Sequence, residues 1–344
     1  MTQQETYPST VVEILRNLYF SSTPLNSIDL QEALKKAGID LDPRTIRYHI
    51  SNLEEGGVVH RLGKRGVILT KKGIEEAKTL LVFDRIGLAS LETQKMLLEC
   101  NFDIVKCKGK LIVNVITCPK ERIIEALECL DKVASSSVIV SPLIGLIDED
   151  QKLWNIRIDP GKIGIAAVSS TNYESIFRRG GVPLETASTG LYKLSDYAPK
   201  GFIDLICHSG TTISPGQLLC RGRYTQVSRY LETGSGYVTA SIKTFPSFYC
   251  DRAMEIAGTL GKRHFNSLFE MGCTMPENYR MTIQDRNKGY LLVYGGANYF
   301  APLIEKGITE EIHITGALFR MEDMLTPGEA LDKFRKGQPA YHGF

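Results

Sequence analysis

Residues 42–73, DPRTIRYHISNLEEGGVVHRLGKRGVILTKKG, hold seven Lys/Arg against three Asp/Glu in a 344-residue chain whose formal net charge is only +2. The stretch opens with Asp42 as a helix N-cap and Pro43 at the first helical position, where a missing N–H costs nothing. Projected at about 100° per residue, Ile46, Ile50 and Leu53 share one face with His49 beside them, while Arg44, Thr45, Arg47, Tyr48 and Ser51 are left for the other side. After the helix, two β-rich runs, GVVHRL and GVILT, flank a turn at GKRG, so Lys64 and Arg65 occupy a hairpin tip between glycines.

Working outward, Val11, Ile14, Leu15 and Leu18 fall at helical spacing, as do Leu30, Ala33, Leu34 and Ala37 ahead of the stop residue Gly38. Three helices and a basic-tipped hairpin make a winged helix-turn-helix. Residues 1–85 hold twelve Lys/Arg and eleven Asp/Glu, so the positive charge is a local patch on the third helix and wing. That localisation suits a reader of double-stranded DNA, with the third helix in the major groove and the wing tip on the phosphate backbone. The expected DNA-contacting residues are Arg44, Thr45, Arg47, Tyr48, Ser51, Lys64 and Arg65; His49 and His60 are read as structural. A protein–protein module with a solvated basic face is the competing reading.

The whole chain is 43% hydrophobic and 23% charged, an ordinary globular composition long enough for two cores. No run of roughly 18 apolar residues suggests a membrane span, and the opening MTQQETYPST lacks the regions of a signal peptide. A cytoplasmic protein is expected. The eight cysteines are scattered without CxxC pairs, and HExxH is absent, so buried reduced thiols are expected rather than a disulfide framework or a metal site.

The run TKKGIEEAKTLLVFDRIG begins as an amphipathic helix capped by Thr70 and loses its pattern near Asp84. The expected domains are therefore residues 1–82 and 83–344. Beyond the boundary, KLIVNVITC reads as a strand, PKERIIEALECLDKVA as a helix started by Pro119, and SVIVSPLIGLI as a second strand. Residues 162–191 and 288–317 then align without gaps at an offset of 126 (288 minus 162). They share Lys162/Lys288, Asn172/Asn298, Tyr173/Tyr299, Gly181/Gly307, Glu185/Glu311, Thr189/Thr315 and Gly190/Gly316. Each copy runs strand, small-residue turn, Asn-Tyr, helix and extended segment, the mark of a duplicated unit. The fold class expected is α/β or α+β: an N-terminal winged helix-turn-helix followed by a larger mixed-sheet domain with a pseudo-twofold internal repeat.

The order of PRTIRYHISNLEEGG, DRIG, GKIGIAAVSSTNYESIFRRGGVP, FIDLICHSGTTISP, GYVTASIKTFP and GYLLVYGGANYFAPLIEKGI resembles the archaeal nitrogen-regulatory repressor family NrpR over nearly the whole chain. The resemblance implies a dimeric transcriptional repressor of nitrogen-fixation and nitrogen-assimilation genes. It would bind inverted-repeat operators, act on the general transcription machinery indirectly, and be released by the effector 2-oxoglutarate, with no cofactor. Members often carry two effector domains and this chain has room for one, as in the split arrangement where a second chain of the family is the partner. Lys243 also stands where the resemblance leads one to expect arginine. The alternatives are a DNA-anchoring subunit whose partner does the sensing, and a metabolite-binding enzyme with an accessory winged helix.

An effector with two carboxylates and a keto oxygen calls for cationic side chains and clustered backbone N–H groups at small-residue turns. Three turns qualify: Ser170, Thr171 and Asn172; His208, Ser209, Gly210 and Thr211; and Gly295 and Gly296, which are either a binding turn or glycines serving close packing. Lys243 is the first choice for charge, with Arg178 and Arg179 behind it. No catalytic residues are expected: Cys207 and His208 are neighbours on a strand and point apart, and GxSxG, Walker A and post-strand GxGxxG motifs are absent.

Overall fold

The structure, a computed structural model, describes residues 7–260, 265–280 and 283–336. The chain divides between Ile86 and Gly87 into two compact units.

The first unit holds α1 (Ser9–Phe20), α2 (Ser27–Lys36), α3 (Pro43–Glu55), β1 (Val59–Arg61), β2 (Val67–Leu69) and α4 (Lys71–Leu80). Val11, Ile14, Leu15 and Leu18 of α1 pack with Leu30 and Leu34 of α2 and with Ile46, Ile50 and Leu53 of α3 in one core. Asn26 caps α2 in a reciprocal box with Asp29, and Asp42 accepts from the amides of Arg44 at 2.7 Å and Thr45 at 3.0 Å to start α3. β1 and β2 pair antiparallel around a turn at Gly63–Arg65. Leu25 joins Val67 by a single antiparallel bridge, and Gly66 (φ +108°) is required there: a Cβ would lie 2.4 Å from the Leu25 carbonyl oxygen.

The second unit continues with α5 (Leu88–Glu99), β3 (Lys110–Pro119), α6 (Ile123–Ala134), β4 (Ile144–Ile147), the small hairpin β5 (Lys152–Leu153) and β6 (Ile156–Arg157), β7 (Lys162–Val168), α7 (Asn172–Arg179), β8 (Glu185–Ser195) and β9 (Ala198–Cys207). After α8 (Pro215–Arg221) and α9 (Val227–Thr233) come β10 (Gly236–Pro246), α10 (Cys250–Leu260), β11 (Leu268–Gly272), β12 (Lys288–Tyr294), α11 (Ala301–Glu305), β13 (Ile312–Arg320) and α12 (Pro327–Arg335). β3 is buried along nearly its whole length because helices and the partner sheet cover both faces, so it reads as a continuous apolar run.

The repeat is larger than the sequence alignment indicates. β3–α6–β4–β7–α7–β8 and β10–α10–β11–β12–α11–β13 are two βαββαβ units, and the segment Thr117, Pro119, Ala126 recurs as Thr244, Pro246, Ala253 at an offset of 127 (244 minus 117). One sheet has the order β13-β3-β7-β4 and the other β11-β12-β10-β8-β9, all antiparallel. Each sheet thus takes three strands from one repeat and one from the other. Exchange of β8 and β13 ties the halves into one body, with β9 an extra edge strand.

Three sequence expectations change. Pro119 closes β3 instead of opening α6, which starts at Ile123 after a 3₁₀ turn. Of SVIVSPLIGLI only Ile144–Ile147 is strand, because the carbonyls of Val138, Val140 and Pro142 are taken by Asn298, by the Asn266 amide and by Tyr299. The cysteines are not all reduced: Cys250 and Cys273 form a disulfide. Among the described residues no group of His, Cys, Asp and Glu is arranged to hold a metal, and no helix is long and apolar enough to cross a membrane.

Candidate DNA-reading face and effector seam

On α3 the buried stripe Ile46, Ile50 and Leu53 fixes which side is presented outward. Arg44, Arg47 and Tyr48 are exposed and Thr45 and Ser51 half-buried. Arg47 Nε donates to the Pro43 carbonyl at 3.0 Å, which holds its stem along the first turn. Lys64 and Arg65 are exposed at the wing tip. Sequence reasoning missed Arg61 on β1, which donates to Ser51 Oγ at 2.7 Å and pairs with Glu54 at 2.8 Å. It fastens the wing to α3, and the missed signal was an outward position in a three-residue strand beside the helix. His60, read as structural, is exposed on β1. If the wing tip meets phosphates, Lys64→Ala or Arg65→Ala lowers the slope of log K against log salt by about one unit for each phosphate left without its cation. A filter-binding series over salt measures it, and unchanged slopes in both variants remove the wing tip from the interface.

In the second unit the proposed effector residues fall into two groups. The turn at 169–172 and the turn at 295–297 abut each other: a Cβ on Gly296 would lie 2.7 Å from Asn114 Nδ2 and 3.0 Å from the Ser170 amide nitrogen, and one on Gly295 would lie 2.2 Å from Thr239 Oγ1. Close packing therefore requires glycine at both positions. Thr171 Oγ1 meets Thr315 Oγ1 at 2.9 Å, Ser169 Oγ donates to Thr171 Oγ1 at 3.1 Å, and Asn114 Oδ1 accepts from the Thr315 amide at 2.9 Å. Asn114 Nδ2 is buried with no hydrogen-bond partner among the described residues.

Asn172 is committed elsewhere. Its Oδ1 accepts the Ile112 amide at 2.9 Å and its Nδ2 donates to the carbonyls of Ile112 (2.6 Å) and Ser169 (2.8 Å). Asn298 treats Thr239 the same way, at 2.8 Å and 2.9 Å. Each asparagine imitates a neighbouring strand, and the Asn172 amide, expected in the effector set, spends its oxygen and nitrogen on these backbone groups.

The second group comprises Lys243 on β10 and the turn at 208–211 after β9, both against β8. Lys243, expected as an available cation, is 1% exposed. Its Nζ donates to Thr186 Oγ1 at 2.6 Å and pairs with Glu174 Oε1 of α7 at 3.3 Å, while Thr186 also donates to Glu174. Burial lowers the Lys243 pKa and Glu174 opposes that shift. Beside this pair, Thr189 Oγ1 touches Ser241 Oγ at 2.7 Å and His208 Nε2 at 2.9 Å. Burial, with Lys243 nearby, pushes His208 down to about 4, so it is a neutral imidazole at pH 7. Ser209 and Gly210 are exposed, and Thr211 is half-buried, its carbonyl accepting the Gly87 amide. Arg178 is held by Gln94 and the Leu184 carbonyl, and Arg179 is exposed; neither bonds to the Lys243 group.

These groups form a polar seam where the repeats meet. Thr189 and Thr315 are equivalent residues of the exchanged strands. Ser241 and Asn114 are their partners from the first strand of each repeat, and only the β10 side adds a charged pair. Glu174, Thr186, Thr189 and Ser241 were missed as partners because nothing in the order of residues reveals that β8 crosses to the other sheet. Chemically the seam holds a lysine paired with a carboxylate, hydroxyl groups, and a neutral imidazole hydrogen-bonded to one of them.

The model of NrpR regulatory domains NRD1 and 2 matches residues 86–326, which is most of the chain. The chain belongs to the NrpR family. A ribonuclease R winged-helix domain model matches residues 12–77, covering α3 and the wing. Similar proteins include the global nitrogen regulator NrpRI of Methanosarcina mazei, 28% identical over 91% of this chain and 96% of that protein. The global nitrogen regulators NrpR of Methanocaldococcus jannaschii (23%) and Methanococcus maripaludis (26%) match 91% and 95% of this chain. The chain spans 54% and 57% of those two, about half their length. A crystal structure of a nitrogen repressor-like protein from Methanococcus jannaschii is similar with a TM-score of 0.56 at 18% identity, covering 68% of this chain and 96% of that one; it supports the fold. As an NrpR-family member the chain is a regulator and not an enzyme.

Proposed function

We propose that this NrpR-family chain is a repressor of nitrogen-assimilation and nitrogen-fixation genes that binds inverted-repeat operators as a homodimer and is released by 2-oxoglutarate. The observation that carries the DNA half is the exposed row Arg44, Arg47 and Tyr48 on α3, backed by a buried stripe and flanked by the basic wing tip. In a dimer the two recognition helices must match half-sites ~34 Å apart. An effector releases the repressor by favouring an arrangement that breaks this match. Driving such an equilibrium from 1:99 to 99:1 requires about 5.5 kcal/mol of differential affinity.

A second reading has its own support: a partner chain does the sensing. Lys243 is already neutralised by Glu174, so a carboxylate entering there must displace a buried one, and the chain spans about half of two of its relatives. A gel-shift titration on a nitrogen-gene operator, with a scrambled duplex as control and with or without millimolar 2-oxoglutarate, separates the readings. Specific binding that 2-oxoglutarate reverses supports the first, and specific binding that ignores it supports the second. Absence of specific binding overturns both. Arg44→Ala with Arg47→Ala should remove operator preference, since bidentate base contacts discriminate by about 1–3 kcal/mol each.

A further inference from the structure

We infer that Cys250 and Cys273 form a reversible thiol–disulfide exchange site that reacts with low-molecular-weight thiols and disulfides. Their Cα atoms are 5.3 Å apart and the sulfurs are bonded, a separation within the ~4.4–6.8 Å span of disulfides. The surroundings favour exchange over a permanent staple. Cys100, Cys107, Cys118, Cys129 and Cys220 carry no disulfide, which fits a chain living among thiols; there, the disulfides that do form are transient or sensing ones.

The two sulfurs differ in the way exchange needs. Cys273 follows β11 on an exposed loop and is open to attack, whereas Cys250 is buried and is the first residue of α10. An incoming thiolate adds to the Cys273 sulfur, the S–S bond breaks, and its electron pair leaves on Cys250. Its place at the start of α10, where the helix dipole favours negative charge, would make Cys250 the better leaving group. A second external thiolate attacks the mixed disulfide, releasing the Cys273 thiolate and a small-molecule disulfide. Two external thiols are oxidised and the protein disulfide is reduced. The reverse sequence, starting from a small-molecule disulfide, closes the bond.

The bond belongs to the second repeat alone. Ile147 pairs with Gly164 and Gly272 with Tyr290, an offset of 126 (290 minus 164), so Cys273 corresponds to Asp148, and Cys250 corresponds to Ile123. Closing it fastens α10 to the exit of β11. From there the chain runs into the loop whose Met275 and Tyr279 pack with Ile242, Tyr290 and Leu292. Ile242 is the β10 neighbour of Ser241 and Lys243, so the tether secures the cover over one face of the strand whose other face carries the seam.

The test uses the full-length protein equilibrated in mixtures of reduced and oxidised glutathione, quenched in acid, alkylated and mapped by mass spectrometry. The expected result is loss of the Cys250 and Cys273 thiols together as the mixture becomes oxidising, while Cys118 and Cys220 stay alkylatable after unfolding. Reduction without denaturant should be first-order in added thiol. Hydrogen exchange should slow across residues 268–280 on oxidation, and Cys273→Ser should abolish that change while Cys107→Ser keeps it. Retention of both thiols in the most oxidising mixture overturns the proposal. So does reduction at a rate independent of thiol concentration, because the bond then opens only when the protein unfolds.

Discussion

Lys243→Met lowers the unfolding free energy of the larger unit by about 3–5 kcal/mol, because it leaves the Glu174 carboxylate buried without its cation. The two side chains are 1% and 6% exposed, so water cannot take over the role of either partner. Glu174→Leu alone should cost a similar amount for the converse reason. The double variant Lys243→Met, Glu174→Leu removes both charges while keeping the volume filled, and it should recover most of that loss, since replacing a whole buried pair by apolar groups is often neutral or stabilising. Denaturant titrations of the four proteins give the coupling energy directly. A double variant no more stable than either single one would mean that Thr186, left with a buried hydroxyl, or the chain around it dominates, and that the pair is not the unit that matters.

The same cluster sets a pH dependence. His208 has its folded pKa pushed down to about 4 by burial, then by Lys243, against an unfolded value of about 6.5. Between those values the unfolded chain binds a proton that the folded one refuses, so stability is full above pH 6.5 and falls as pH drops toward 4. His208→Asn, keeping a polar group beside Thr189, should flatten the slope of denaturation midpoint against pH in that window. An unchanged slope would assign the acid sensitivity to other groups.

Legibility followed locality. The winged helix is built from signals within a few residues of one another: Asp42 and Pro43 start α3, the apolar stripe orients it, and glycines bracket the wing. Its basic face could therefore be read directly, apart from Arg61, whose role depends on a ten-residue separation closing in space. The repeat was visible through Asn172/Asn298 and Thr189/Thr315, but strand exchange was not, because βαββαβ reads identically whether its last strand stays or crosses. Everything that depends on the crossing was illegible for that reason: Thr189 beside Ser241, Thr186 beside Lys243, and Thr315 over Asn114. Lys243 shows the cost most clearly. On a strand of mixed pattern a lysine reads as solvated, and only the arrival of α7 with Glu174 buries it.

Asn298→Ala should destabilise the larger unit by about 3–5 kcal/mol, as expected when several buried backbone groups lose their partners at once. The side chain accepts from the Thr239 amide and hydroxyl and donates to the carbonyls of Thr239 and Val138, and all of these groups lie where water does not reach. Asn298→Asp tests the geometry more sharply: it keeps the acceptor and the shape but exchanges two donors for a negative oxygen facing two carbonyls, so it should be at least as harmful as alanine. Asn172→Ala should behave alike, since Asn172 clamps Ile112 through the equivalent bonds. Asn114→Ala is the control: its Nδ2 has no partner to lose and its Oδ1 serves one amide, so about 1–2 kcal/mol is expected. Denaturation midpoints decide between two roles for the repeated asparagines. Large losses in Asn172→Ala and Asn298→Ala establish them as substitutes for strand partners that hold the turns in place; unchanged stability of Asn172→Ala with altered response to 2-oxoglutarate would keep Asn172 in the effector site. The first outcome would also explain why the same Asn-Tyr pair stands in both halves although only one half carries a charged pair in the seam: the clamp is a requirement of the fold, and each repeat must meet it separately.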